Sequence, residues 1–103
     1  MLGIGVEYSP TSAQQWEKIT IVGHTDPSLV GKRAYILKIN HGLTNVIDTG
    51  SPVSSNGTIR TWAKLGRDGE LQLIIPAVPV TAGPLPYGTP LLAQSSTFTI
   101  KVA

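Results

Sequence analysis

The sequence predicts an all-β domain, a two-sheet antiparallel β-sandwich of about seven or eight short strands. Three observations carry this expectation. Apolar and polar residues alternate with a period of two in several short segments, as in a strand with one buried face. Turn formers punctuate the chain at short intervals, with 11 Gly and 8 Pro in 103 residues. Helix signals are nearly absent. The best candidate, residues 12–17 (SAQQWE) with Ser12 as a cap, is about one turn long and too short to be stable alone.

The elements follow in order. Leu2, Ile4, Val6 and Tyr8 alternate with Gly3, Gly5 and Glu7 and predict a first strand with one apolar face. A mostly small and polar spacer, residues 9–15, separates it from the body. KITIVG places Ile19 and Ile21 on one face, and Asp26-Pro27 and Gly31 bracket a loop. KRAYILKIN is apolar on both faces in its middle, as a central strand is. TNVID is shorter, and Asn56-Gly57 signals a tight hairpin because both residue types accept positive φ. GTIRTWAKL sets Ile59, Thr61, Ala63 and Leu65 on one face and Arg60, Trp62 and Lys64 on the other. GRDG turns the chain into ELQLII, with Leu71, Leu73 and Ile75 aligned. Residues 76–90 hold Pro76, Pro79, Pro84, Pro86 and Pro90, which predicts a long connection or a ragged edge because proline cannot donate to a ladder. STFTIKV closes the chain with Phe98, Ile100 and Val102 alternating against Thr97, Thr99 and Lys101. The organisation expected is residues 1–17 as an amino-terminal arm or first strand and residues 18–103 as the sandwich.

The composition excludes several function classes. There are no cysteines, so disulfides, thiol catalysis and cysteine-bound zinc are out. A chain of 103 residues buries roughly 65% of its unfolded surface, enough for a core without metal or disulfide. Charged residues make up only 14%, against about 25% in ordinary domains. A weakly charged, hydroxyl-rich surface favours packing against other proteins. The net charge of +2 is too small to argue for nucleic acid. No apolar run nears the ~20 residues of a membrane span, and the amino terminus, MLGIGVEYSP, lacks the basic start and apolar stretch of a signal peptide. If the chain is complete, export by the general secretory route is not expected.

The stretch from residue 18 to 103 resembles an immunoglobulin-like module of phage virion or bacterial surface proteins. ITIVG, the DP-containing turn and KRAYILKIN match the first two strands of such modules, and RDGELQLIIP and STFTIKVA match later ones. The cysteine pair of antibody domains is missing. Tyr87 is a candidate corner tyrosine, although Pro86 and Pro90 around it depart from the usual pattern.

A second, local resemblance lies in VIDTGS, residues 46–51. It is similar to the active-site segment of retroviral-type dimeric aspartic proteases, in which two close carboxylates share a proton. The resemblance implies Asp48 as the catalytic residue, with Thr49 and Gly50 shaping the turn. Asn56-Gly57 falls at a flap position, but PYGTPLLAQ matches the second family segment only faintly, and Pro90 breaks the helix required there. Asp-Thr-Gly-Ser-Pro is also ordinary turn chemistry after a strand.

Other chemistry finds little support. His24 and His41 sit near turns without metal-ligand spacing, so no metal site is expected. No nucleophile elbow, P-loop or dinucleotide-binding glycine pattern occurs, so no cofactor is expected. Trp62 beside Arg60 and Lys64 is a candidate contact surface for a sugar or a protein, joined by Tyr87; the other reading packs Trp62 under a loop, as sandwiches often bury one tryptophan. Trp16 lies where the amino-terminal segment meets the body.

These observations predict a non-enzymatic structural protein of a phage virion, a capsid decoration (cement) or tail-associated subunit acting through protein–protein contacts. The expected partners are other virion subunits, in a homo-oligomer or larger assembly, without nucleic acid or membrane. A carbohydrate- or surface-binding module of a larger extracellular or cell-surface protein is the alternative, and the protease a lesser one. Leu2, Ile4, Val6 and Tyr8 are predicted to form an intersubunit arm. The seven-residue spacer, residues 9–15, spans roughly 23 Å at ~3.3 Å per residue, so the arm is free to pair with a neighbour.

Overall fold

The structure, a computed structural model, describes residues 2–48 and 50–103. Its strands are β1 (Leu2–Ser9), β2 (Ser12–Ala13), β3 (Lys18–His24), β4 (Arg33–Asn40), β5 (Leu43–Val46), β6 (Ser51–Pro52), β7 (Thr58–Lys64), β8 (Gly69–Pro76), β9 (Gly83–Pro84), β10 (Leu91–Ser95) and β11 (Phe98–Val102). A single turn of 3-10 helix, Pro27–Leu29, stands between β3 and β4, with Asp26 accepting from the Ser28 N–H at its start.

The fold is all-β, as predicted, but its sheet is one mixed, curled half-barrel. The strands run β7-β3-β1-β10-β8-β4-β5-β9, with β11 beside β8 and β2, and β6 beside β4. The strand β1 makes the continuity. Its first residues, Leu2 to Ile4, pair parallel with β10, and Gly5 to Ser9 then pair antiparallel with β3. After the spacer turns back, β2 pairs parallel with the end of β11. Two parallel pairings and 11 strands therefore replace the expected seven or eight antiparallel strands. The count rises because short pairings form outside the predicted segments: β2, β6 and β9 are two residues each, and β10 follows the proline-rich connection.

The arm prediction is corrected at the same place. Leu2, Ile4, Val6 and Tyr8 belong to the first strand of the chain's own body. The apolar face that had to be buried somewhere lies on the domain's own core: Ile4 is buried, Val6 and Tyr8 pack against the core, and the Tyr8 ring stacks on Phe98 at 4.7 Å between centroids. Only Leu2 stays substantially exposed. Residues 12–17, the best helix candidate but too short to be stable alone, form no helix. Ser12 and Ala13 are held by β11, and Trp16 adopts φ 62°, which no right-handed helix contains.

The main core fills the inside of the curl. Ile19 and Ile21 of β3, Ile59 of β7, Ile36 of β4, Leu73 of β8 and Ile100 of β11 are all fully buried there. The strand β4 is apolar on both faces for a reason the structure makes plain. Tyr35 and Leu37 point to the outer side and form a second cluster with Val46 and Ile74, covered by Val80, Leu85 and Leu91. The proline-rich connection is thus a lid over the back of the sheet, tied down by the Val80 N–H donating to the Tyr35 hydroxyl at 3.3 Å and by β9 pairing with β5. The β4–β5 hairpin turns through His41 and Gly42, both at positive φ, the geometry of a two-residue primed turn. At Asn56-Gly57 only Gly57 takes positive φ, and a Cβ there would collide with the Thr25 carbonyl oxygen.

Two interruptions flank one point of the sheet. Ile36 and Leu73 are register partners on the adjacent strands β4 and β8. On the far side of β4, the neighbouring strand breaks between β5 and β6, and the Asp48 carboxylate accepts the Ile36 N–H at 3.0 Å. On the far side of β8, the neighbour breaks between β10 and β11, and the Ser95 hydroxyl accepts the Leu73 N–H at 2.9 Å. Each side chain replaces the backbone acceptor that the broken strand withdraws, which a buried amide requires.

Candidate functional site

Residues from both faces of β7 and the segment after β5 frame a cleft of about 570 Å³. One wall is β7, with Thr61, Trp62, Ala63 and Lys64; facing it are Lys38, Ile47, Asp48 and Ser51. Trp16 closes one end. Its N–H donates to the Leu65 carbonyl at 2.8 Å, and its ring lies on Gly66, where a Cβ would meet the ring at 2.6 Å. Only glycine permits that approach without displacing the indole.

Alternation along β7 holds. Ile59 and Ala63 are buried, and Arg60, Trp62 and Lys64 face out. Trp62 is 51% exposed, so it packs under no loop. Lysines flank its ring instead: Lys18 Nζ lies 5.4 Å and Lys64 Nζ 5.7 Å from the ring centroid, within cation–π range. Lys18 and Lys64 are also register partners across β3 and β7. Like charges directly opposite one another cost stability, so this face favours an anion. Trp16 is 65% exposed and Ile47 38% exposed, so both tryptophans of the chain and an isoleucine present apolar surface at one cleft.

Asp48 stands in the same cleft, half-buried, its carboxylate directed at Ile36. Burial pushes the carboxyl above its ordinary value, against hydrogen bonds from the Ile36, Gly50 and Asp48 N–H groups and from Thr61. Gly50 has φ 90°, and its carbonyl accepts from Arg33. Thr49, to which the protease resemblance gives a turn-shaping role, lies outside the described residues.

Tyr87 is fully exposed on the connection between β9 and β10 and does not line the cleft, so it joins no common surface with Trp62 there. His24 sits 3.7 Å from the Glu7 carboxylate on the β1–β3 pair, both side chains largely exposed. The sequence reading missed Trp16 and Lys38 as cleft residues and Lys18 as a neighbour of the Trp62 ring. The spacing TWAK-LG had marked Trp62, but only the turn after β2, with its positive φ at Trp16, brings the second indole alongside.

Comparison with protein-family models, with curated proteins and with solved structures returned no match.

Proposed function

We propose that this chain is a non-enzymatic structural protein that works by protein–protein contact, a capsid-decoration or tail-associated subunit of a phage virion. The observation that carries the reading is the exposed Trp16, Trp62 and Ile47 surface beside an edge strand. Exposed apolar area clustered at one place marks a contact surface. Burying such area contributes about 25 cal/mol per Å² before the costs of association. The engagement of Asp48 with the Ile36 amide supports a structural role for the VIDTGS segment. An immunoglobulin-like architecture is part of the proposal. Its support is the grouping β7-β3-β1 on one side of the curl and β10-β8-β4-β5 on the other, with β1 shared between them. Size measurement in solution and mass spectrometry of purified particles test the reading. Assembly and presence in virions are expected; a stable monomer absent from particles refutes it.

A glycan-binding role in an extracellular or cell-surface module is the second reading. It is favoured by the half-exposed Trp62 ring between two lysines, an arrangement suited to a sugar face carrying an acid group. A glycan array with wild type and Trp62→Ala separates the two, since only this reading predicts a wild-type signal that the variant loses.

A further inference from the structure

We infer that the outer edge of β7 is a strand-addition site for an extended acidic peptide segment of a partner protein. This rests on the protein-contact reading and names its partner chemistry. The backbone parity of β7 is fixed at both ends. The Thr25 N–H donates to Gly57 O at 2.9 Å and the Trp16 N–H to Leu65 O at 2.8 Å. Odd-numbered residues therefore turn their backbone groups to β3, and even-numbered ones turn away, because hydrogen-bonding direction alternates along an antiparallel strand. Thr58 shows the second direction, its carbonyl accepting from Ser54 N at 3.0 Å on the side away from β3. Beyond it, the N–H and C=O groups of Arg60, Trp62 and Lys64 point along the open edge, and among the described residues none of them has a backbone partner. The cleft opens beside this edge, with Ile47, Asp48, Gly50 and Ser51 lining its other side, and a strand added to the edge would cover it.

Charge decides the occupant. Lys38 and Lys64 line the cleft, Lys18 lies over Trp62, and Arg60 is on the same outward face. Against these four of the chain's 8 cations stands Asp48, which is committed to Ile36. A second copy added antiparallel about Trp62 would set Arg60 opposite Lys64, a like-charge pairing that disfavours self-association. An acidic strand meets those charges favourably, while its backbone supplies the missing hydrogen bonds and its apolar residues cover Trp62 or Ile47.

The probe is the peptide acetyl-(Glu-Val)3-amide, titrated into the whole chain. Both tryptophans border the cleft, so intrinsic emission reports on it directly. The expected result is a blue shift, together with amide exchange at residues 60, 62 and 64 slowed at least tenfold while that at 59, 61 and 63 stays unchanged. N-methylation of alternate peptide amides is expected to weaken binding at least tenfold. The (Lys-Val)3 peptide is expected not to bind wild type but to bind the double variant Arg60→Glu/Lys64→Glu. Equal binding of the N-methylated peptide would show charge attraction without strand pairing and overturn the proposal. So would no response to the acidic peptide at millimolar concentration, or amides 60, 62 and 64 already protected in the free protein. A chain found in virions that nevertheless ignores the acidic peptide would refute this site and leave the protein-contact reading standing.

Discussion

Replacing Asp48 separates its hydrogen-bonding role from its charge. Asp48→Ala removes the only acceptor found for the Ile36 N–H among the described residues, and Ile36 is fully buried. Leaving such a donor unsatisfied costs about 1–3 kcal/mol. At roughly 4–8 °C per kcal/mol for a domain of this size, Tm should fall by on the order of 10 °C. Asp48→Asn keeps an acceptor oxygen and discards the charge, so it should stay close to wild type at pH 7. The pH dependence gives a second readout. Burial raises the folded-state value of Asp48 above the ordinary 3.8, so the folded state holds the proton more tightly than the unfolded one. The resulting stabilisation is fully present below the unfolded value and is lost as pH rises through the raised folded value. Urea denaturation between pH 3 and 7 should therefore show wild type losing stability with rising pH relative to Asp48→Asn, whose own carboxyl is gone. An Asp48→Ala protein as stable as wild type, or an Asp48→Asn protein as damaged as Asp48→Ala, would refute the account of Asp48 as a replacement strand acceptor.

Ser95→Ala should cost about 1–3 kcal/mol in urea denaturation by orphaning the buried Leu73 N–H, with an unchanged m value. Deleting residues 1–9 should destabilise the isolated chain by more than about 4 kcal/mol in the same assay, because β1 supplies Ile4 to the core and joins β3 to β10; unchanged melting would return the segment to the role of an arm. Trp62→Ala should change stability by less than about 1 kcal/mol, since the ring is half exposed, yet it should reduce incorporation into particles measured by quantitative mass spectrometry.

Much of the strand content was legible because period-two alternation is a local property. The faces of β7 and β8 and the closing strand β11 were all correctly assigned from it, down to Trp62 on the outside. The two-faced apolar pattern of KRAYILKIN likewise announced a strand covered on both sides. What covers the second side was not legible. Proline marks where a ladder ends but carries no information about where the chain goes next, and here residues 77–90 return over Tyr35 and Leu37. The role of Asp48 was hidden for a related reason. Asp-Thr-Gly-Ser reads equally as a turn or as a catalytic segment, and only the register that leaves the Ile36 amide without a strand neighbour gives the carboxylate its use.

By itself, the sequence determined that this chain is all-β, cysteine-free and weakly charged, with Trp62 beside Arg60 and Lys64 on one face of a strand. Tertiary structure alone decided that the strands join into one curled sheet, that β1 completes its own domain, and that Trp16, Trp62 and three lysines meet around an open edge. The division follows from range. Alternation and turn chemistry act over a few residues and are written in them, whereas pairing partners, parallel or antiparallel sense and strand breaks depend on which distant segments best satisfy each other's backbone groups and bury each other's apolar faces.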